Sequence, residues 1–192
     1  MKPVNIYTDG ACSGNQNENN FGGWGAILVY GEHSKEIFGG EKNTTNNKME
    51  LTAVMESLKS LNKDGLNINI FSDSSYLVEC FTKKWYVKWR QNGWKTYQKK
   101  PVENRELWEE ILSLIEKHSK VNFYRVKGHM NLNNEAQINK WFAKFKSWNG
   151  SSFTKEDFIY ITKMNLRADK LANMGIDEVR NKNKISLRDT LR

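Results

Sequence analysis

Cysteine is scarce in this chain. Only Cys12 and Cys80 occur among 192 residues, and no CxxC pair is present. That excludes a zinc ribbon, a zinc finger and a disulfide scaffold. Two thiols fit a reducing compartment, and a cytoplasmic location is expected. Long apolar runs are missing too. None approaches the ~18 residues needed to cross a bilayer, so no membrane partner is expected. The first residues, MKPVNIYTDG, lack the apolar stretch of a signal peptide. No internal repeat is visible. Charge, by contrast, is plentiful and lopsided: Lys plus Arg is 30, Asp plus Glu is 22, and the net charge is +8. A polyanion is the natural partner, nucleic acid first, bound by a monomer. The length suits one domain with an inserted segment.

Lys2 to Thr8 alternates, with Val4 and Ile6 on one side, which predicts a strand that stops at the Asp9-Gly10 turn signal. Residues 11–23 read as a loop. Trp24 to Tyr30 and Lys35 to Phe38 follow as strands, completing an antiparallel meander. Asn46 to Leu61 has helical spacing, with Ala53, Val54, Ser57, Leu58 and Leu61 in one stripe. Asn67 to Ser72 is a strand ending at Asp73, and Ser74 caps a short helix. Glu103 to Lys117 is a helix and Val121 to Val126 the last strand. The pattern is α/β, a mixed sheet with helices. Beyond His129, Asn134 to Gln137 forms a capping box. Ile138, Trp141, Phe142, Phe145 and Trp148 follow at helical spacing as far as Asn149-Gly150. A further turn begins at Thr154, and Leu166 to Val179 is a helix. The domain is expected to span 1–180, interrupted by a helical insertion at about 131–163, with 181–192 a flexible basic tail.

Two aspartates, Asp9 and Asp73, each directly follow an apolar strand. Sites in open α/β sheets form outside the carboxyl ends of strands. Turn and helix-start preferences account for such aspartates equally well. Glu50 lies on the buried stripe of its own helix, where a carboxylate needs a cation, hydrogen bonds or an ion pair. Asp169 stands in the first turn of the last helix, beside Ala168 and Ala172. Favourable contact with the helix dipole is its plainer explanation. Four carboxylates that converge would raise one another's pKa unless a cation neutralised them. Hard dications take such oxygen ligands, and paired Mg²⁺ ions are a device for phosphodiester cleavage.

Between Glu79 and Glu103 there is no acidic residue. Lys83, Lys84, Lys88, Arg90, Lys95, Lys99 and Lys100 alternate there with Trp85, Tyr86, Trp89, Trp94 and Tyr97. Cations neutralise phosphates while aromatics pack on sugars or bases. Trp85 and Trp89, at i and i+4, are the expected structural pair.

Taken together these stretches resemble type-1 ribonuclease H. The matching segments are YTDGACSGN at 7–15, TTNNKMELTAV at 44–54, FSDSSYLVEC at 71–80 and WYVKWRQNGWKT at 85–96. KKPVENRELW at 99–108, VKGH at 126–129 and RADKLAN at 167–173 complete the set. The resemblance implies a five-stranded mixed sheet of order 3-2-1-4-5 flanked by helices. It implies endonucleolytic cleavage of the RNA strand of an RNA–DNA hybrid, leaving 5′-phosphate and 3′-hydroxyl ends. Asp9, Glu50, Asp73 and Asp169 fall on the family's metal-binding carboxylates, which hold two Mg²⁺ ions, with Mn²⁺ able to substitute. His129 falls on its catalytic histidine. Cys12, Asn15, Asn46, Asn47 and Ser75 fall on hybrid-contacting positions, although the family usually has Gln where Ser75 stands. The substrate-gripping protrusion maps to residues 82–101, with Lys83, Lys84, Trp85, Lys88, Trp94, Lys95, Thr96 and Lys99 as contacts.

The connection from His129 to Asp169 is far longer than the family's usual loop, and long loops are often functional. A cover over an exposed part of the domain is expected for Phe142 and Phe145. Trp141 and Trp148, accompanied by Lys140, Lys144 and Lys146, leave an added binding surface open. Asp157 is the alternative to Asp169 for the last carboxylate. A non-catalytic binding module and a DNA-cutting nuclease on the same fold are the competing functions.

Overall fold

Five strands, numbered in chain order as β1 (Val4–Ser13), β2 (Phe21–Tyr30), β3 (His33–Lys42), β4 (Asn67–Ser72) and β5 (Lys120–Arg125), form one sheet in the order β3-β2-β1-β4-β5. The computed structural model describes residues 2–14 and 20–190, with side chains through position 184. Strands β1 (Val4–Ser13), β2 (Phe21–Tyr30) and β3 (His33–Lys42) are the antiparallel meander. Helix α1 (Asn46–Lys59) leads to β4 (Asn67–Ser72), which lies parallel to β1. Helices α2 (Ser75–Thr82), α3 (Trp85–Gln91) and α4 (Arg105–Ile115) precede β5 (Lys120–Arg125), parallel to β4. Helices α5 (Glu135–Asn149) and α6 (Lys155–Thr190) end the chain.

The first strand does not stop at Asp9-Gly10. It stays paired with β2 as far as Ser13↔Phe21. The glycine there serves close packing rather than a turn: a Cβ on Gly10 would sit 2.4 Å from the Glu50 amide nitrogen. Only a residue without a side chain lets α1 approach the strand so closely.

Side chains alternate across the sheet, so each strand supplies two cores. One face carries Ile6, Ile68 and Ile70 against Leu51, Val54, Leu77, Trp108 and Ile111 from α1, α2 and α4. The opposite face carries an aromatic ladder across β1, β4 and β5. Tyr7 stacks on Phe71 at 5.0 Å and Phe71 on Tyr124 at 5.1 Å. The parallel register aligns these three residues, and two positions earlier it aligns Asn5, Asn69 and Asn122. Those amides hydrogen-bond from strand to strand at 3.0 Å.

Segment 135–165 covers this second face. Phe145 and Phe158 are fully buried on it, Phe142 packs partly buried against them, and Phe153 meets Tyr124 edge-on. Asn134 caps α5 by accepting from the Gln137 amide, and Gly150 ends it at φ 94°.

Helix α6 departs from expectation. The sequence suggests a turn near 154–159, a separate helix from Leu166 and a tail from Asn181, whereas one helix runs from Lys155 to Thr190. Its buried stripe is unbroken: Phe158, Ile161, Thr162, Asn165, Ala168, Leu171, Ala172 and Ile176. Polar Thr162 and Asn165 sit on that stripe and mask it in sequence. Thr154 and Asp157 cap the start reciprocally, the Asp157 amide donating to Thr154 Oγ1 and the Thr154 amide to Asp157 Oδ2. Further along, α6 crosses β2 and β3 backbone against backbone. A Cβ on Gly23 would lie 1.9 Å from the Ala172 carbonyl oxygen, and one on Gly175 2.0 Å from that of Gly39.

Phe145→Ala is expected to destabilise the protein by about 3–5 kcal/mol, the usual cost of emptying a buried aromatic site. Denaturant titration measures this. A loss below 1 kcal/mol would show that segment 135–165 does not hold the aromatic face.

Candidate active site

Close backbone approaches bring four carboxylates together from four elements. Asp9 projects from β1 and is buried. Glu50 reaches it because Gly10 lets α1 lie on the strand. Asp73 is the first residue after β4. Its carboxylate packs on Gly128, where a Cβ would stand 2.1 Å from Oδ2. Asp169 follows Ala168 on α6, which is seated on the Gly25 backbone. The Asn173 amide, one turn on, donates to the Asp169 carbonyl oxygen at 2.9 Å and to Oδ1 at 3.3 Å.

Carboxylate oxygens of Asp9, Glu50 and Asp73 all lie within 4.8 Å of one another. Asp169 lines the same cleft. Among the described residues no Lys, Arg or His forms an ion pair within 4.0 Å of any of the four. Glu50 is therefore not half of a buried ion pair. Its other close partner is the Ser72 hydroxyl, which donates to Oε2 at 3.5 Å. Asp157 is engaged at the start of α6 and is not among the residues lining the cleft.

Burial and mutual repulsion shift these groups upward. Burial, then the charges of Asp73 and Asp169, pushes Asp9 up to about 8, against the Gly10 amide and a hydrogen bond with Glu50 that favour its charged form. Glu50 is raised well above the ordinary carboxylate range by burial and then by Asp9 and Asp73. Asp73 is raised mainly by burial and less by Asp169, while His129, its own backbone amide and Lys127 pull it back. Hard oxygen donors crowded in this way, with no ion pair to a described side chain, fit a divalent cation.

His129 is exposed on the loop after β5, with φ 51°, and lines the same cleft. So do Cys12, Asn46, Asn47 and Ser75. The Cys12 thiol donates to the Thr44 carbonyl at 3.6 Å. Asn20 holds that loop, donating to the Thr44 carbonyl at 2.8 Å and accepting from the Thr44 amide at 2.9 Å. Asn15 lies outside the described residues. Sequence reasoning missed Tyr76 and Asn173 at the cleft. Asn173 had a signal, its i+4 spacing from Asp169.

The basic stretch forms a second groove that shares Asn47 and Tyr76 with the cleft and is lined by Trp85, Lys88, Lys95 and Thr96. Four expected contacts are placed differently. Lys83 pairs with Glu79 at 2.6 Å. Lys84 and Lys99 are exposed at positive φ but are not among the groove's lining residues. Trp94 is only 6% exposed and packs 6.2 Å from Trp89, supporting the groove from beneath. Its indole is needed to bury the short helix α3, which is too small to hold a core alone. Tyr97 and Lys100 line the groove instead, with Tyr97 fully exposed.

The RNase H family model matches residues 1–143. Ribonuclease H of Acetivibrio thermocellus is 54% identical over 129 residues, covering 67% of this chain and 84% of that protein. Among solved structures, LC9-RNase H1, a type 1 RNase H with the type 2 active-site motif, superposes with a TM-score of 0.60. It is 24% identical, with 86% of each chain covered. A foamy viral protease-reverse transcriptase in complex with RNA/DNA hybrid superposes at 0.62 and 20% identity, over 91% of this chain and 21% of that one. At these identities the two superpositions show a shared fold. Asp169 lies beyond the family match, and its place rests on the docking of α6.

The raised carboxyls give the metal-free protein a definite pH dependence. A folded-state pKa above the unfolded value means stability that is complete below about pH 4 and lost as pH rises through about 8. Asp9→Asn removes one of the charges. Its melting temperature should overtake that of the wild type as pH rises from 5 to 9. Each 1 kcal/mol relieved raises it by about 2–4 °C in a domain of this size. Added divalent metal should narrow the gap. A gap independent of pH would show that the cluster is not strained by charge.

Proposed function

The chain belongs to the ribonuclease H family, and from that premise we propose how its own residues carry out the reaction. The protein is an endonuclease that cleaves the RNA strand of RNA–DNA hybrids. The observation that carries the assignment of residues is the trio of carboxylates with oxygens within 4.8 Å, none of them in an ion pair with a described side chain.

Asp9 is assigned to both of two cation sites, Asp169 to one, and Glu50 with Asp73 to the other. Mg²⁺ is the proposed ion, with Mn²⁺ able to substitute. Paired divalent ions would supply Lewis-acid stabilisation of charge at the scissile phosphate. Water adds to phosphorus and releases a proton to solvent, and the bond to the 3′-oxygen breaks as that oxygen gains a proton, leaving a 5′-phosphate and a 3′-hydroxyl. The exposed imidazole of His129, beside Asp73, is assigned the transfer of a proton to the departing oxygen. Ser72 orients Glu50 from beneath the cleft, and Asn173 orients Asp169.

Strand choice follows from groups at the cleft rim. A-form-like duplexes show 2′-hydroxyls across a wide minor groove. The amides of Asn46 and Asn47 line the cleft at the start of α1 and can both donate to and accept from a 2′-hydroxyl. The Lys88, Lys95 and Trp85 groove is assigned to the DNA strand. We place residues 1–180 as the catalytic domain, with 131–163 inserted in it, and the protein as a cytoplasmic monomer. The described residues contain no helix long and apolar enough to cross a membrane.

Asp9→Asn should abolish cleavage of a labelled hybrid in Mg²⁺ while leaving hybrid affinity within a few-fold of wild type. The wild type should leave double-stranded RNA and DNA intact. Turnover by the variant at the wild-type rate would remove Asp9 from the mechanism. Lys88→Gln with Lys95→Gln should lower the slope of log affinity against log salt by about 1–2, near 0.9 for each phosphate no longer neutralised. An unchanged slope would take the groove out of substrate binding.

A further inference from the structure

The insertion covers the aromatic face of the sheet with one side of α5. Its other side carries charge that the cover does not need. A third groove opens from the cleft at a different edge, sharing Asp73 and His129 with it and continuing over Arg125, Lys127, Trp141, Lys144 and Trp148. The cations there are held on two indole rings. The Arg125 guanidinium lies 4.4 Å from the Trp148 ring centre and Lys144 Nζ 5.8 Å. Lys127 Nζ lies 5.3 Å from the Trp141 ring and Lys140 Nζ 5.9 Å. The two rings are 6.2 Å apart.

Among the described residues, Lys127, Lys140 and Lys144 take no ion-pair partner within 4.0 Å. Arg125 has only Glu79, at 3.9 Å. Elsewhere some surface cations are paired, such as Lys48 with Glu41, Lys59 with Glu110, Arg90 with Glu116 and Arg167 with Glu36, and others are not. What joins Arg125, Lys127, Lys140 and Lys144 is their seating on two adjacent indoles beside the cleft. Stacking on an indole restricts a long side chain before any ligand arrives, so less freedom is lost on binding. A row of cations fixed in this way, joined to a site that engages a phosphate, has the chemistry of a phosphate track.

We propose that Arg125, Lys127, Lys140 and Lys144, seated on Trp141 and Trp148, bind the phosphates of the RNA strand where it leaves the catalytic cleft past His129. The insertion thereby adds a second nucleic-acid contact, separate from the groove of Lys88 and Lys95. This rests on the hybrid-cleaving function proposed above. Continuity with the cleft and the unpaired positive charge favour a nucleic-acid strand over a protein partner as occupant.

The test compares wild type with Arg125→Gln/Lys144→Gln on hybrids of increasing length that share one cleavage site. Binding is measured without divalent metal across a salt series, and steady-state cleavage is measured with Mg²⁺. The salt slope of the variant should be smaller by about 1–2 on long hybrids, near 0.9 for each phosphate released from the protein. Its KM should rise several-fold with kcat within twofold, and the difference should vanish on hybrids too short to reach α5. Trp141→Leu keeps the charges but frees Lys127 and Lys140, and should also raise KM. Thermal melting of each variant confirms folding. Equal salt slopes and equal KM on long hybrids, with wild type cutting normally, overturn the proposal and leave the face to a protein partner. A wild type that neither binds nor cuts hybrid overturns the functional reading itself.

Discussion

Three carboxylates with oxygens within 4.8 Å of one another repel, and burial makes the repulsion worse. Packing alone would never select that arrangement. The surrounding structure holds it by bringing backbones closer than side chains normally permit. Gly10 lets α1 press Glu50 against β1. Gly128 leaves room for the Asp73 carboxylate. Gly23, Gly25 and Gly175 let α6 lie on the sheet and carry Asp169 to the rim. The approaches of α1 and α6 are made by backbone, which cannot rotate away as a side chain can. The charge is thus confined by rigid elements until a cation offsets it.

The two faces of the sheet divide the labour. The face under α1, α2 and α4 is an aliphatic and tryptophan core and also supports the basic groove through Trp89 and Trp94. The other face is an aromatic ladder closed by α5 and the first half of α6. Asn5, Asn69 and Asn122 end that ladder with hydrogen bonds between amides in register. The ladder also shows why segment 135–165 is no loose appendage. Phe145 and Phe158 are among the most deeply buried side chains in the protein.

Much of this was legible in sequence. Strand alternation, the helical stripe of α1 and the caps at Ser74 and Asn134 located most elements within a few residues. Glu50 stood out because a carboxylate on an apolar stripe needs an explanation. What was hidden depends on contacts distant in sequence. The Asp9-Gly10 pair has the chemistry of a turn, and only the approach of α1 shows that the glycine is there for space. Trp94 sits in a basic stretch that invites a surface role, yet α3 is too short to bury itself without it. Thr162 and Asn165 interrupt an apolar pattern, so the continuity of α6 could not be read from periodicity. The glycines of β2 and β3 look like weak strand residues until the helix that lies on them is seen.

The unbroken course of α6 ties two distant parts of the molecule to a single angular register. Phe158 is locked in the aromatic face and Asp169 at the rim of the carboxylate cleft, with no loop between them to absorb a change of length. One residue gained or lost in that interval would turn Asp169 by about 100° relative to Phe158. A change of length in the segment around Gly150, ahead of the helix, would instead leave both ends in phase.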